Sequence, residues 1–344
     1  MKERERLRAL GFVALSVVCL AAAGGYVLHS NARHRALTQA ATALPAAAPE
    51  SVAAVEAQPH LLFRNLSVAA EAGFAALAPL GAPDAPRQIT DYPCSRLHMA
   101  AGHGLCLAEQ QDDPFASPYR ARIFGPDFRT THELPLAGLP SRARVSPDGR
   151  FGASTVFVNG DSYAATTFST RTTLYDMTAG TSLGDLETFI AMKDGKRFQS
   201  VDFNYWGVTF DPADSGHFFA TLGTGGHTYL VEGDVAARTV KVLRDGVECP
   251  SLSPDGKRIA FKQKVSGGGL LEVKWRLSVL SIDTLEDHPL AETRNVDDQA
   301  EWLDDGTVLY SVESDIYAVP ADGTGSPRLF TRRADSPAVV PRSG

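Results

Sequence analysis

A turn with Pro, Asp and Gly in close succession recurs along this chain, each time between two short apolar runs. Pro presets φ, Asp hydrogen-bonds to its own backbone and Gly takes positive φ, so the pattern predicts a tight turn that joins two strands of a hairpin. Two copies are complete and two are degraded, at 145–150, 252–257, 210–216 and 302–306. Their aspartates, Asp148, Asp214, Asp255 and Asp305, are 66, 41 and 50 residues apart. Hairpin repeats of about 40 to 50 residues are typical of propeller blades with four strands each.

Alternating apolar positions and turn residues divide most of the chain into five units of four predicted strands. The units cover 94–138, 140–189, 205–244, 248–292 and 298–331. Three more strands are predicted before them, at 61–66, 74–77 and 87–90, and one after them, at 336–340. Together these four make a sixth blade from both ends of the chain, which closes the ring and removes exposed edges. The predicted fold class is therefore all-β, a six-bladed β-propeller over 60–340; a β-sandwich, the alternative, would not explain the repeated turn.

The complete turns also resemble a known repeat. Residues 252–261, Leu-Ser-Pro-Asp-Gly-Lys-Arg-Ile-Ala-Phe, are similar to the repeat of TolB-like, WD40-like (PD40) β-propellers, and 145–150 is a second good copy. The resemblance implies the fold and an envelope protein, but no one activity, because such propellers occur in translocation proteins, peptidases and lyases. TolB itself has an α/β domain before its propeller. Residues 29–59 are too short and too rich in Ala and Pro for one, so membership of a Tol–Pal complex is not implied.

An uncharged run stands near the N-terminus. Residues 9–28 contain no charged side chain, and this is about the length that a helix needs to cross the hydrocarbon core of a bilayer. Basic residues are densest in 1–8, the predicted cytoplasmic n-region, which favours an N-in, C-out anchor. The alternative is a signal peptide cleaved near Ala23. Either way we expect the propeller on the extracytoplasmic face of the cytoplasmic membrane in a bacterial cell envelope, with 29–59 as an Ala/Pro-rich linker.

Charge limits the kind of partner. The 344 residues carry a formal net charge of −7 and are 44% hydrophobic, a globular composition. No basic stripe of the kind that binds nucleic acid occurs, so nucleic acid is not an expected partner. The expected partners are an envelope protein or peptide, with the membrane contacted through the N-terminal helix.

Two cysteines are placed to form a disulfide. Cys94 and Cys106 fall on neighbouring predicted strands of one hairpin, and disulfides persist in oxidising compartments. Two buried free thiols are the alternative interpretation. Cys249 is left over, at the start of a predicted strand.

No motif indicates catalysis, a metal or a cofactor. Residues 160–163, Gly-Asp-Ser-Tyr, lack the strand, elbow and helix of a hydrolase nucleophile, and the glycines at 267–269 lack the Lys of a phosphate loop. The pairs Asp297–Asp298 and Asp304–Asp305 could bind Ca²⁺, but are more typical of solvated strand ends. We therefore predict no catalytic residue, no metal site and no cofactor.

Polar residues stand just before or at the start of each predicted inner strand, where the blades of a propeller crowd one end of the central channel. The candidate ligand-binding residues are Arg96, Arg142, Arg144, Asp202, Asn204, Trp206, Glu248, Asp297, Asp298 and Gln299. They predict either a polar pocket for a peptide or small polar ligand, or a network of ion pairs that ties the blades together. The expected function is that of a non-catalytic, membrane-tethered binding protein. The alternative is a lyase or hydrolase acting at the channel mouth, for which a His near Arg96, Arg142 and Asp298 would be required.

Overall fold

A computed structural model describes residues 52–67, 70–110, 117–160, 163, 168–265 and 273–341, together with Cys19. The predicted n-region, the uncharged run apart from Cys19, and most of the predicted linker lie outside the described residues, as do Asp161, Ser162 and the glycines at 267–269. Within the described ranges, no helix is both long and apolar enough to cross a membrane.

The described strands form six sheets, which are the six blades of a β-propeller. In chain order the strands are β1 (His60–Asn65), β2 (Phe74–Pro79), β3 (Gln88–Pro93), β4 (Arg96–Ala100), β5 (His103–Glu109), β6 (Tyr119–Phe124), β7 (Thr130–Pro135), β8 (Leu139–Val145), β9 (Phe151–Asn159), β10 (Ser169–Asp176), β11 (Thr181–Asp185), β12 (Ile190–Lys193), β13 (Lys196–Phe198), β14 (Asn204–Phe210), β15 (His217–Thr224), β16 (His227–Asp234), β17 (Thr239–Asp245), β18 (Glu248–Leu252), β19 (Arg258–Val265), β20 (Lys274–Ser281), β21 (Asp287–Pro289), β22 (Glu301–Asp304), β23 (Thr307–Val312), β24 (Asp315–Pro320), β25 (Arg328–Thr331) and β26 (Ala334–Val340).

The first strand of each blade lies next to the central channel. These inner strands, β26, β4, β8, β14, β18 and β22, contact one another in that order around the ring, and β22 contacts β26 again. A sheet extends outward from each of them: blade 1 (β4–β7), blade 2 (β8–β11), blade 3 (β12–β17), blade 4 (β18–β21), blade 5 (β22–β25) and the closing blade (β26 with β1–β3). All are four-stranded and antiparallel except blade 3, which has six strands. The ring is therefore closed, and every inner strand begins at one end of the channel and ends at the other.

The predicted blade shared between the chain ends is confirmed. Its strand order is β26-β1-β2-β3, and β1 pairs antiparallel with β26, with Leu62 opposite Ala338. The side chains of this blade pack on both neighbouring blades, since Leu62 lies in one apolar cluster with Leu97 and Leu61 lies in another with Leu309. The C-terminal strand is thus the innermost strand of the closing blade.

The repeated turn joins the inner strand of a blade to the second strand, as predicted. At the first copy Gly149 N–H donates to the Ser146 carbonyl at 2.8 Å, and Gly149 has a φ of 74°. Ser146 Oγ accepts a hydrogen bond from Phe151 N–H at 2.9 Å, and Asp148 accepts one from Arg150 N–H at 3.0 Å. Side chains thus satisfy the backbone of the turn. The copy at 253–258 repeats the arrangement.

Blade 3 carries an additional hairpin that the strand assignment from sequence missed. Strands β12 and β13 pair through an Asp194–Gly195 turn, in which both residues have positive φ. Strand β12 then pairs parallel with β17, the outermost of the four usual strands. An Asp-Gly pair is a common two-residue hairpin turn, so the turn itself could have been predicted, although lysines flank it on both sides, at Lys193 and Lys196.

Part of the predicted linker is folded against the propeller. Residues Val52–Glu56 form a short helix, α1, and Val55 is buried in a cluster with Leu77 and Tyr92 of the closing blade. In that same cluster Cys94 and Cys106 form a disulfide with Cα atoms 5.6 Å apart. Cys249 is a free, buried cysteine. The sequence analysis placed the start of the propeller at residue 60. The packed region begins earlier, with α1 at Val52–Glu56.

Candidate functional site

The end of the channel at which the inner strands begin, here called the strand-start end, is closed by ion pairs and hydrogen bonds. Arg96 on β4 donates to the Ser141 carbonyl at 2.8 Å and lies 3.5 Å from Asp335 on β26. Asp335 also accepts two hydrogen bonds from Arg64 on β1, at 2.9 and 2.8 Å. The Asp335 carboxylate therefore links the closing blade to blade 1, and Arg96 links blade 1 to blade 2.

A second set of charges spans the channel between blades 2, 4 and 5. Lys262 on β19 is fully buried and donates to Asp297, and Arg142 on β8 lies 3.9 Å from the same carboxylate. The Lys262 ammonium sits over the rings of Tyr163 and Trp275, 4.9 and 4.4 Å from their centroids. Burial disfavours a charged Asp297, but Lys262 and Arg142 outweigh it and lower the pKa of Asp297. Such cation–π contacts and ion pairs compensate for removing the ammonium from water.

Gln299 and Asp298 bond to backbone rather than facing an open pocket. The Gln299 amide donates to the carbonyls of Val208 and Pro250, at 3.0 and 2.9 Å. Asp298 accepts a hydrogen bond from Ser311 N–H at 3.2 Å. The space left among these two side chains, Arg96 and Arg142 is about 30 Å³, which is room for about two water molecules. Of the two interpretations of the strand-start end, the geometry favours the interblade network over a ligand pocket.

Four of the ten predicted residues neither pair with Lys262 nor line the small cavity among Arg96, Arg142, Asp298 and Gln299. Asp202, Asn204, Trp206 and Glu248 line a separate cavity of about 500 Å³, here called the side cavity. Asp202 is exposed, and its carboxylate accepts hydrogen bonds from Thr224 Oγ1 at 2.5 Å and Gly225 N–H at 2.7 Å. The prediction that all ten crowd one mouth is therefore corrected. The side cavity lies among residues of three blades, with Tyr163 from blade 2, Trp206 from blade 3 and Trp275 from blade 4.

Arg144 lies deeper in the channel, in a buried group with His98 and Glu301. Arg144 donates to Glu301 and to the Ala300 carbonyl. His98 Nδ1 accepts a hydrogen bond from Val145 N–H at 3.1 Å, and Nε2 lies 3.0 Å from Arg144 Nη1 and 3.6 Å from Glu301. Burial and Arg144 lower the pKa of His98. Burial also opposes the charge on Glu301, but Arg144 and His98 outweigh it and hold the pKa of that carboxyl at about 2. The group is thus a neutral histidine beside a charge-balanced pair.

The opposite end of the channel is open. A cavity of about 560 Å³ lies where the inner strands end, and all six blades contribute to it. We call it the turn-side mouth, since the repeated turns form its rim. Its lining comes from 98–101, 144–147, 209–212, 251–254, 301–305 and 339–341.

The wall of the turn-side mouth is mainly apolar and its rim carries carboxylates. Met99, Phe210 and Trp302 line it, and the Trp302 indole N–H is bonded to the Ser251 carbonyl at 2.8 Å. Asp304 and Asp305 on the rim are exposed. The sequence reasoning missed this cavity because its apolar residues stand at strand ends, where they are indistinguishable from core. The repeated Pro of the turns, as at Pro147 and Pro254, was a sequence signal from which the rim of this cavity could have been predicted.

No catalytic or metal-binding constellation is evident in the part of the chain that the structure describes. Within it, no group of three or more His, Cys, Asp and Glu side chains is placed to hold a metal ion. The pair Asp297–Asp298 is divided between Lys262 and Ser311 N–H, and Asp305 accepts a hydrogen bond from Asp255 N–H at 2.9 Å.

Comparison with known proteins identifies the fold. No protein-family model and no curated protein matches the chain. TolB from Acinetobacter baumannii is similar in structure, with 15% sequence identity, a TM-score of 0.56 and coverage of 83% of this chain and 67% of that chain. A chain of the nidogen/laminin complex is also similar, with 10% identity, a TM-score of 0.53 and coverage of 82% of this chain and 97% of that chain. At such identities the likeness shows a TolB-like six-bladed propeller fold and nothing finer.

Proposed function

We propose that this chain is a non-catalytic, extracytoplasmic binding protein of the TolB-like, PD40-repeat type that holds an apolar segment of an envelope protein in its turn-side mouth. The observation that carries the proposal is the cavity of about 560 Å³ to which all six blades contribute. Its size is that of pockets that bury most of a ligand, and its apolar wall with a few polar groups is typical of them. The strand-start end, by contrast, has room only for water.

The charged group at the base of the mouth supports a binding role. Arg144 and Glu301 neutralise each other, and His98 is buried with both ring nitrogens facing a partner. A segment that enters the mouth therefore meets a charge-balanced base and an apolar wall. Protein partners also fit the similar structure of nidogen, which was solved as a complex with laminin.

An extracytoplasmic location and a membrane tether are part of the proposal. The disulfide between Cys94 and Cys106 is the kind of bond that persists outside the cytoplasm. The uncharged run at 9–28 is the proposed anchor. The full chain should sediment with membranes after a high-salt wash, and a chain beginning at residue 47 should not. Equal recovery of both in the soluble fraction would contradict the tether.

Site-specific photo-crosslinking tests the binding site. A photoreactive amino acid at Leu303, which lines the turn-side mouth and is half-buried, should give one discrete adduct in living cells. The same amino acid at Val201, which is fully exposed on blade 3, is the control and should not give that adduct. Mass spectrometry of the adduct identifies the segment. Equal labelling at both positions, or none at Leu303, would refute a specific partner at the mouth.

An enzymatic function, as a lyase or hydrolase, is the second candidate. It is favoured by one observation: His98 lines the same small cavity as Arg96, Arg142 and Asp298. However, His98 is only 7% exposed, and Nδ1 already accepts the Val145 N–H. A general base needs a lone pair directed at the substrate, which this arrangement does not leave. We therefore propose a structural role for His98.

A further inference from the structure

The charges that line the turn-side mouth do not cancel. Its lining contains five ionisable side chains, those of His98, Arg144, Glu301, Asp304 and Asp305. Arg144 and Glu301 pair with each other, and burial together with Arg144 lowers the pKa of His98, which keeps that ring neutral. Asp304 and Asp305 are left as two carboxylates that no opposite charge in this lining balances.

Neither of these carboxylates is paired with a cation of the described residues. Asp304 Oδ1 accepts a hydrogen bond from Gly306 N–H at 2.8 Å, and Asp305 Oδ1 accepts one from Asp255 N–H at 2.9 Å. The neighbouring Arg258 donates to the Asp305 carbonyl at 2.6 Å and lies 3.5 Å from the Asp255 carboxylate. Arg258 is thus held by the backbone and by another aspartate. Asp304 and Asp305 are exposed, and each keeps its second carboxylate oxygen for a ligand.

The neighbouring turns do not supply the missing positive charge. Residues 145–150, 210–216 and 252–258 together carry four aspartates and three basic residues. Arg342, which follows Pro341 of the lining in the sequence, is outside the described residues. Among the described residues, acidic side chains therefore outnumber basic ones at this end of the propeller. A carboxylate that entered the mouth would meet more negative than positive charge.

Accessible apolar surface lies in the same lining as these carboxylates. It comes from Pro147, Pro212, Pro254, Leu303 and Val339, all of which are half-buried or exposed. A proline ring is already rigid, so little side-chain entropy is lost when a ligand packs on it. The stems of Lys and Arg pack along apolar surface while their charged ends reach polar groups. The mouth thus offers a partner to both parts of a basic side chain.

We propose that the segment held in the turn-side mouth is basic as well as apolar, with a Lys or Arg whose charge pairs with Asp304 and Asp305. This inference rests on the proposed function and adds the charge of the partner to it. Charge-assisted hydrogen bonds to carboxylates are among the stronger ones. The net charge of −7 on the whole chain acts in the same direction, because opposite charges steer association. The same two carboxylates would repel an acidic segment.

Selection from a display library of short random peptides tests the charge of the segment directly. The full chain is the bait, and a Pro147→Trp/Pro254→Trp variant, which obstructs the opening at two exposed prolines without adding charge, identifies the peptides that require the turn-side mouth. Those peptides should be enriched in Lys and Arg, and Gln in place of their basic residues should weaken binding. Mouth-dependent peptides that are neutral or acidic would overturn this inference and leave the proposed function standing. The absence of any mouth-dependent peptide would overturn both.

Matched pairs of aspartates complete the test. Asp304→Asn/Asp305→Asn keeps an acceptor oxygen at each position, removes both charges, and should weaken the best basic peptide about fivefold at about 0.05 M salt. The difference should shrink at about 0.5 M salt, where exposed charges are screened. Asp283→Asn/Asp322→Asn removes two exposed carboxylates from outer turns of blades 4 and 5 and should bind as the parent does. Equal loss in both double variants, or no loss in Asp304→Asn/Asp305→Asn, would overturn the pairing.

Discussion

At the scale of single residues, the channel is stabilised by charges that cancel across the axis. Arg144 comes from blade 2, His98 from blade 1 and Glu301 from blade 5, and all three have side chains at most 12% exposed. A buried ion pair contributes little relative to apolar residues of similar volume, but an unpaired buried charge costs several kcal/mol. Losing one partner should therefore be worse than losing both.

An Arg144→Met substitution should lower the free energy of unfolding by about 3–5 kcal/mol, because Glu301 stays buried without its main partner. The double variant Arg144→Met/Glu301→Leu should recover most of this loss. Urea denaturation followed by circular dichroism measures both, with Arg150→Met, at an exposed arginine, as control. A single variant as stable as its double would contradict the charge-balanced unit.

Glu187 should make stability depend on pH. It follows β11, and its carboxylate accepts hydrogen bonds from Thr172 N–H at 3.2 Å and Tyr205 N–H at 3.4 Å, which joins blades 2 and 3. Burial raises the pKa of Glu187 from 4.5 to about 7. The folded protein thus binds more protons than the unfolded chain between these values. Its contribution to stability is complete below pH 4.5 and is lost as the pH rises through 7.

A Glu187→Gln variant removes this pH dependence while keeping an acceptor oxygen. Relative to the parent, it should gain about 1–3 kcal/mol in unfolding free energy between about pH 5 and about pH 8. Glu286→Gln, at an exposed position, controls for the loss of one negative charge. Parallel pH profiles for the parent and the Glu187→Gln variant would show that Glu187 does not titrate in this range.

At the scale of elements, the closing blade depends on β26, the last of the described strands in the sequence. Strand β26 is held to β1 by their ladder and by the two hydrogen bonds from Arg64 to Asp335. Bidentate Arg–carboxylate pairs are among the stronger side-chain bonds. The stability of the ring closure should therefore respond to this pair more than to any outer turn.

Asp335→Ala should reduce hydrogen-exchange protection of β26 and β1 about tenfold or more, because a partly buried charged hydrogen-bond pair is lost. Protection of β23 in blade 5 should change less. Asp322→Ala, at an exposed aspartate in the outer turn of blade 5, should leave β26 unaffected. Mass-spectrometric exchange resolves these peptides, and equal loss in all blades would mean that β26 is not an independent closure.

The sequence predicted elements where local chemistry decides them. The Pro-Asp-Gly turns set the inner hairpins, and the unpaired strands near His60 and Val340 indicated a shared blade. The Asp194–Gly195 hairpin was missed because its strands have only four and three residues and because lysines rather than apolar residues flank its turn. Whether the channel was open could not be predicted, since that depends on contacts such as that of Arg142 with Asp297, which are 155 residues apart in the sequence.

At the scale of the whole molecule, the channel is asymmetric. Its strand-start end is closed by charged side chains that span the ring, whereas its turn-side mouth is wide and apolar. The same inner strands produce both ends, because long polar residues stand at their starts and apolar residues with Pro turns stand at their ends. This polarity is the reason for proposing that the turn-side mouth is the binding site.

The most direct test of that proposal measures the affinity of two matched double variants for the photo-crosslinked segment, made as a synthetic peptide. Pro147→Arg/Pro254→Arg places bulky charges on the rim at two exposed prolines, and Pro135→Arg/Pro289→Arg does the same on outer strands of blades 1 and 4. Titration calorimetry should show at least about a tenfold loss of affinity for the rim variant. The outer variant should bind as the parent does. Unchanged affinity in the rim variant, or equal loss in both, would contradict a binding site at the turn-side mouth.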